Sequence, residues 1–329
     1  MARRYSKILV AGGAGFIGSH LVDRLLDEGF DVTVLDNFYT GQMENIENHR
    51  LASNFHLVKG DIRNFRLVKN VVKDIDAVFN DAALVSVPRS VENPLLANEV
   101  NVTGALNLLK ASLDSGVKRF IQASSASAYG DTTTLPVHEE LPQKPISPYA
   151  VAEVAAENYA RVFYKVWGLE TVSLRYFNVY GPRQVHSPYS GATTIFVNRL
   201  LRDQVPMING DGEQTRDFVY VKDVVSANML ALTVKDAVGE VFNVATGETT
   251  TINKLVQTLQ KIMKKTDLKP IHKEPAPGDI RYSYASIEKA RRILGYEPKF
   301  TLEQGLKELV DWYGSRLVQK SNLAKTRRR

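Results

Sequence analysis

Six short runs rich in β-branched and aromatic residues recur along the first half of the chain: KILVAG (7–12), DVTVLD (31–36), FHLVKG (55–60), DAVFND (76–81), RFIQAS (119–124) and ETVSLRY (170–176). Stretches of helical composition separate them, and this alternation predicts parallel strands joined by crossover helices. The runs are nearly continuous in apolar residues, as strands covered on both faces require. The expected fold is α/β, a Rossmann-type doubly wound parallel sheet. Beyond about residue 176 the rhythm breaks into loops rich in Pro, Gly and aromatics, YGPRQVHSPYSG, INGDGEQTRDF and PAPGDIRYS. These predict a smaller, loop-built lobe. A helix near 221–234 and the strand-like EVFNVATG (240–247) are suited to return to the first sheet, so the lobes should interleave. The expected division assigns 1–176 and about 219–247 to the sheet domain, 177–218 and 248–317 to the second lobe, and 318–329 to a tail.

Composition narrows the classes. A chain of 329 residues is long enough for about two lobes of ordinary size. The absence of cysteine excludes disulfides, thiolate nucleophiles and Cys-ligated metal sites, and a reducing, cytoplasmic location is the natural expectation. Lys320, Lys325, Arg327, Arg328 and Arg329 supply most of the formal charge of +6. The body is therefore close to neutral and nucleic acid is not an expected partner. No apolar run approaches the roughly 18 residues that span a bilayer, so no membrane partner is expected either. The six histidines, His20, His49, His56, His138, His186 and His272, show no metal-ligand spacing, and no metal is expected.

The sharpest motif is GGAGFIGSH, which places Gly12, Gly15 and Gly18 between a strand and a helix. Gly12 suits a tight turn, Gly15 a close backbone approach to a pyrophosphate, and Gly18 close helix packing, with the helix N-terminus facing the anion. Asp36 ends the second strand, 18 residues after Gly18. A carboxylate there accepts from a ribose 2′-OH and repels a 2′-phosphate, which favours NAD over NADP.

A serine-rich strand end, QASSASAYGD, precedes SPYAVAE, where a tyrosine opens a helix. With these segments the chain resembles an extended short-chain dehydrogenase/reductase, and within that group the UDP-sugar 4-epimerases. The matching stretches also include DNF (36–38), GDIR (60–63), SVPRS (86–90), RYFNVYGPR (175–183), NGDGEQTRDFVYV (209–221) and PGDIR (277–281). The resemblance implies that Ser125 polarises the substrate hydroxyl and that Tyr149 is the general base. Tyr149 would take the sugar 4-OH proton as hydride leaves C4, and return of hydride to the other face of a 4-keto sugar would invert C4. Cofactor contacts are implied for Phe16, Ile17, Asp36, Asn37, Asp61, Ile62, Ala82, Ala83, Asn101 and Tyr176. Substrate contacts are implied for Ser86, Asn178, Thr194, Ile208, Arg216, Asp279 and Ser283. Ser124 and Ser127 fall to structural roles. The resemblance further implies a homodimer, with helices near 93–115 and 149–168 paired across a two-fold axis.

One position departs from the pattern. The family carries Tyr-x-x-x-Lys, and this chain has Tyr149-Ala150-Val151-Ala152-Glu153. The spacing places Tyr149 and Glu153 on one helical face, where an ammonium would bind the nicotinamide ribose and lower the phenol pKa. An ionised glutamate there raises it instead, and about three units correspond to about a thousandfold less phenolate. Glu153 still can accept from ribose hydroxyls. Three readings stand open: an impaired enzyme, a working enzyme with a substitute arrangement, and an NAD/UDP-sugar binding protein without turnover.

Related dehydratases and decarboxylases place a carboxylate just after the serine, where this chain has Ala126 and Ser127. Elimination then lacks its acid/base pair, which favours 4-epimerisation, with another nucleotide-sugar oxidation or reduction as the alternative. Ser283 matches the position that gates the sugar pocket. A small residue there leaves room for a 2-acetamido group, so UDP-GlcNAc/UDP-GalNAc is the first expected pair and UDP-Glc/UDP-Gal the second.

Overall fold

The computed structural model describes residues 4–185, 191–275 and 280–326, with side chains up to residue 316. The first half runs β1 (Lys7–Ala11), α1 (Phe16–Asp27), β2 (Asp31–Asp36), β3 (Phe55–Lys59), α2 (Phe65–Val71), β4 (Ala77–Asn80), α3 (Val87–Glu92), α4 (Pro94–Asn98), α5 (Ala105–Asp114), β5 (Arg119–Ser125), α6 (Pro148–Trp167) and β6 (Thr171–Tyr176). The second half adds β7 (Asn178–Tyr180), α7 (Ala192–Leu201), β8 (Met207–Asn209), β9 (Thr215–Arg216), β10 (Phe218–Tyr220), α8 (Val221–Thr233), β11 (Val241–Val244), β12 (Thr250–Thr251), α9 (Ile252–Met263), β13 (Ile271–Lys273) and α10 (Leu302–Thr326).

Seven strands form one sheet in the order β11-β6-β5-β4-β1-β2-β3, and every pairing within it is parallel. The doubly wound α/β fold expected from the sequence is therefore present. Every residue of β6 is buried, which is why its sequence shows no polar alternation. Helices α1 and α8 cover one face, and α2, α5 and α6 the other. The chain leaves β3 at one edge and re-enters at β4 beside β1, so a crevice opens past the carboxyl ends of β1 and β4, where ligands of such sheets sit.

β11 returns from the second half to pair with β6, Val244 standing opposite Tyr176. A separate core, including Tyr180, Phe196, Leu200, Leu255, Leu259, Leu306 and Leu309, holds the second lobe together. Asp217, sealed from solvent, ties that lobe to the end of β11 by accepting from Thr246 N (2.8 Å), Thr246 Oγ1 (2.6 Å) and Gly247 N (2.9 Å). Arg119, equally buried, serves the other end of the sheet: its Nη1 donates to Ala231 O and Val234 O as α8 ends, and it pairs with Glu170.

Candidate active site

The turn after β1 sets the first half of the site. Gly12 has φ +81, and a Cβ there would stand 2.8 Å from Ala82 N; a Cβ on Gly18 would stand 2.3 Å from Gly12 O. Both contacts demand glycine. Gly15 caps α1 without a side-chain acceptor for the first-turn N–H groups, and within 4 Å its Cβ would meet only Gly12 O, at 3.0 Å. First-turn N–H groups without a side-chain cap suit a dinucleotide pyrophosphate. Phe16 and Ile17 open α1 and pack against the second lobe's core. Ala82 and Ala83 continue from β4 on the far side of the turn.

Asp36 ends β2, buried, and accepts from Ala14 N at Oδ2 (2.9 Å) and Phe38 N at Oδ1 (2.8 Å). Burial raises its pKa while these two bonds oppose. These bonds take up two of the carboxylate's four lone-pair sites. Beside it, Asn37 Nδ2 donates to Asp61 Oδ2 at 2.9 Å. Arg63 grips both oxygens of Asp61 and lowers that carboxyl to about 2. Ile62 packs on Gly104, where a Cβ would stand 2.4 Å from its Cδ1.

On α6, Ser147 caps the first turn by accepting from Ala150 N at 3.1 Å, with Pro148 next. This fixes Tyr149 in the first turn, and Ser90 Oγ accepts from its backbone N–H at 3.0 Å. The sequence reading missed Ser90; its only signal was the second serine of SVPRS. Ser125 is the last residue of β5, and its side chain lies near enough to the Tyr149 hydroxyl to lower the phenol's pKa. Ser127 N donates to Ser125 Oγ at 3.1 Å. Lost hydration pushes Tyr149 well above its ordinary pKa, Glu153 adds to the rise, and the Ser125 bond opposes it. Ser86 caps α3, accepting from Arg89 N at 3.3 Å. Ser124 donates to Glu157 at 2.7 Å, and the buried Ser127 hydroxyl meets no partner among the described residues. Tyr176 turns its hydroxyl to Asn228, 2.9 Å away, and more distantly to Asp81.

Glu153 lies one turn beyond Tyr149, only 5% exposed. Its Oε1 accepts from Asn101 Nδ2 at 2.8 Å. Asn101 sits in a π-helical turn, Glu99–Gly104, between α4 and α5, the kind of widened turn found at functional sites. Burial raises Glu153 to about 8, the Asn101 bond opposes the shift and Glu157 adds to it.

In the second lobe, Asn178, Thr193, Met207, Asn209, Gln214, Arg216 and Phe218 are among the residues lining a cavity of about 340 Å³. Of the sequence candidates, Asn178 and Arg216 face it. The structure places Thr194 and Ile208 in the lobe's interior, Thr194 donating to Gln184 Oε1 at 2.8 Å; their neighbours Thr193, Met207 and Asn209 take the wall instead. The alternation of sides along each element explains the exchange. Ser283 is half-buried in a segment where Arg281 O and Tyr284 O accept from Thr215 N and Val137 N. Asp279 lies outside the described residues. Among the described residues no cluster of His, Asp and Glu could hold a metal, and no helix is long and apolar enough to cross a membrane.

Such a sheet, glycine turn and Ser–Tyr pair, extended by a C-terminal lobe, define an extended short-chain dehydrogenase/reductase. Residues 9–309 match the family model described as GDP-mannose 4,6 dehydratase. The UDP-glucose 4-epimerase of Thermotoga maritima, solved with UDP-glucose, superposes with a TM-score of 0.89 at 41% identity over 94% of this chain and 99% of that one. The UDP-N-acetylglucosamine 4-epimerase of Methanobrevibacter ruminantium, solved with UDP-N-acetylmuramic acid, gives 0.91 at 38% over 95% and 100%. The Thermus thermophilus UDP-glucose 4-epimerase, solved with NAD, gives 0.84 at 36% over 93% and 98%. The chain belongs to this family of UDP-sugar 4-epimerases and related nucleotide-sugar enzymes.

Proposed function

We propose that the protein interconverts the C4 epimers of a UDP-hexose, with NAD as its resident cofactor. The observation that carries this reading is the placement of Ser125, at the end of β5, close enough to Tyr149 in the first turn of α6 to favour its ionised form. The turn at Gly12, Gly15 and Gly18, with Asp36, Asn37 and Asp61, would hold the dinucleotide, which when bound supplies reversible hydride acceptance. Ser125 donates to the phenolic oxygen, which orients Tyr149 and eases loss of its proton. Tyr149 then removes the proton of the sugar 4-OH and later returns it. In the second lobe Arg216 and Asn178 line the cavity, where a guanidinium suits a diphosphate, and Ser283 leaves room for an acetamido group. UDP-GlcNAc/UDP-GalNAc is the favoured pair, UDP-Glc/UDP-Gal the next. Two features also support a homodimer located in the cytoplasm: the sequence lacks cysteine, and apolar side chains Val91, Leu95, Val151, Val162, Val166 and Trp167 stand exposed on α3, α4 and α6.

Glu153 favours a second reading, a protein that binds both ligands without turnover. NMR-followed conversion of UDP-GlcNAc and of UDP-Glc, with NAD present, separates the two. Appearance of the C4 epimer supports the enzyme; bound NAD with no conversion of either sugar overturns it.

A further inference from the structure

We infer that Glu153 works as a neutral carboxylic acid that donates a hydrogen bond through Oε2, in place of the ammonium its relatives carry, and so positions the cofactor ribose without adding charge beside Tyr149. The assignment of its proton follows from geometry. Leu84 N is a donor only, so the atom of Asn101 that it meets at 2.7 Å is the carbonyl Oδ1. The other end of that amide is therefore the NH₂ group, which reaches Glu153 Oε1 at 2.8 Å and can only donate. Oε1 is an acceptor, and a carboxylic hydrogen has to sit on Oε2.

The surroundings keep that hydrogen in place. From its own helix Glu153 faces Tyr149 and Glu157, and from the π-helical turn the neutral Asn101. Arg175 is engaged by Glu157, Nη2 to Oε1 at 2.6 Å. Ser124 donates to Glu157 and Ser125 is neutral, so these residues of β5 bring Glu153 no charge. A carboxylate this buried, next to a second carboxylate, is costly, and protonation removes the cost. The raised value of about 8 agrees with that arrangement.

The consequence has a distinctive sign. A tyrosine base alone makes turnover rise with pH. Ionisation of Glu153 puts a negative charge one turn from the phenol, opposes phenolate formation and removes the donor, so turnover should instead fall as pH rises through about 8.

Two measurements test this, and only the kinetic one rests on the epimerase reading. In infrared spectra of protein labelled with ¹³C-glutamate, which leaves aspartates such as Asp81 unshifted, a protonated glutamate carbonyl band should be present at about pH 6 and replaced by carboxylate bands at about pH 10. It should be missing in Glu153→Gln. In turnover assays Glu153→Gln, which keeps a neutral donor, should lose the alkaline fall that wild type shows and retain clearly more activity than Glu153→Ala, which falls at least about tenfold. A glutamate band absent at about pH 6, or one that survives in Glu153→Gln, overturns the proposal. So does an alkaline fall shared unchanged by wild type and Glu153→Gln. If no sugar is turned over, the labelled wild-type protein still decides the protonation state.

Discussion

Arg175 grips both carboxylate oxygens of Glu157, Nη2 to Oε1 at 2.6 Å and Nε to Oε2 at 2.9 Å, with both side chains almost closed to solvent. Ser124 and Gln143 donate to the same carboxylate, and the guanidinium lies 4.7 Å from the Tyr129 ring centroid. The pair joins β6 to α6 directly beneath the segment that carries Tyr149 and Glu153. Truncating one partner strands the other charge in the interior. Glu157→Ala should cost about 3–5 kcal/mol in urea unfolding, and the double replacement of both residues by apolar ones clearly less than the sum of the single losses. A single-variant cost under about 1 kcal/mol would contradict a buried, fully engaged pair.

Tyr149→Phe removes the only proton acceptor of the Ser125–Tyr149 pair and little volume. Turnover should drop about 10²–10⁴-fold while NAD binding and circular dichroism match the parent. Ser125→Ala should cost about tenfold, since a hydrogen bond is lost but the phenol stays. Retained activity in Tyr149→Phe would move the base elsewhere.

Two buried carboxyls give stability a defined pH slope. Asp81 Oδ2 has no partner among the described residues, and burial lifts that carboxyl to about 7 against a weak opposing bond from Tyr176. Glu153 is lifted to about 8. The folded protein thus keeps protons that the unfolded chain has released above about pH 4. Their contribution is fully present below about pH 4 and is lost progressively from there up to the folded values of about 7 and about 8. Denaturant midpoints should fall over that window, and Asp81→Asn with Glu153→Gln should flatten the curve. A midpoint rising across the same window would refute the assignment.

Two glycines of the motif, Gly15 and Gly18, should part company when substituted. Gly18→Ala drives a Cβ to 2.3 Å from Gly12 O and should lower thermal stability. Gly15→Ala meets only that carbonyl at 3.0 Å and should leave the fold nearly intact while weakening NAD binding, measured by calorimetry. Equal effects of the two variants on stability would rule out an open cradle at Gly15.

The strands and the glycine turn were legible because each is a local pattern: a run of buried residues, or three glycines between a strand and a helix. Ser125 and Tyr149 were legible through neighbouring motifs. The Asn101–Glu153 contact joins residues 52 apart through a π-helical turn that no periodicity announces. Arg175 reads in the sequence as a charge interrupting an apolar strand, because its partner, Glu157, lies on a different element. Thr194 and Ile208 lie inside the lobe while their neighbours Thr193, Met207 and Asn209 line the cavity, a one-residue offset that the sequence pattern does not show.

The pairing of β11 with β6 governs how the chain can be cut. A fragment ending near residue 180 would keep the glycine turn, Ser125 and Tyr149, yet leave β6 as a bare edge of hydrophobic residues with unanswered backbone donors and acceptors. Such an edge recruits other strands. The fragment should therefore self-associate, and its rescue should require the later segment 219–247 supplied in trans.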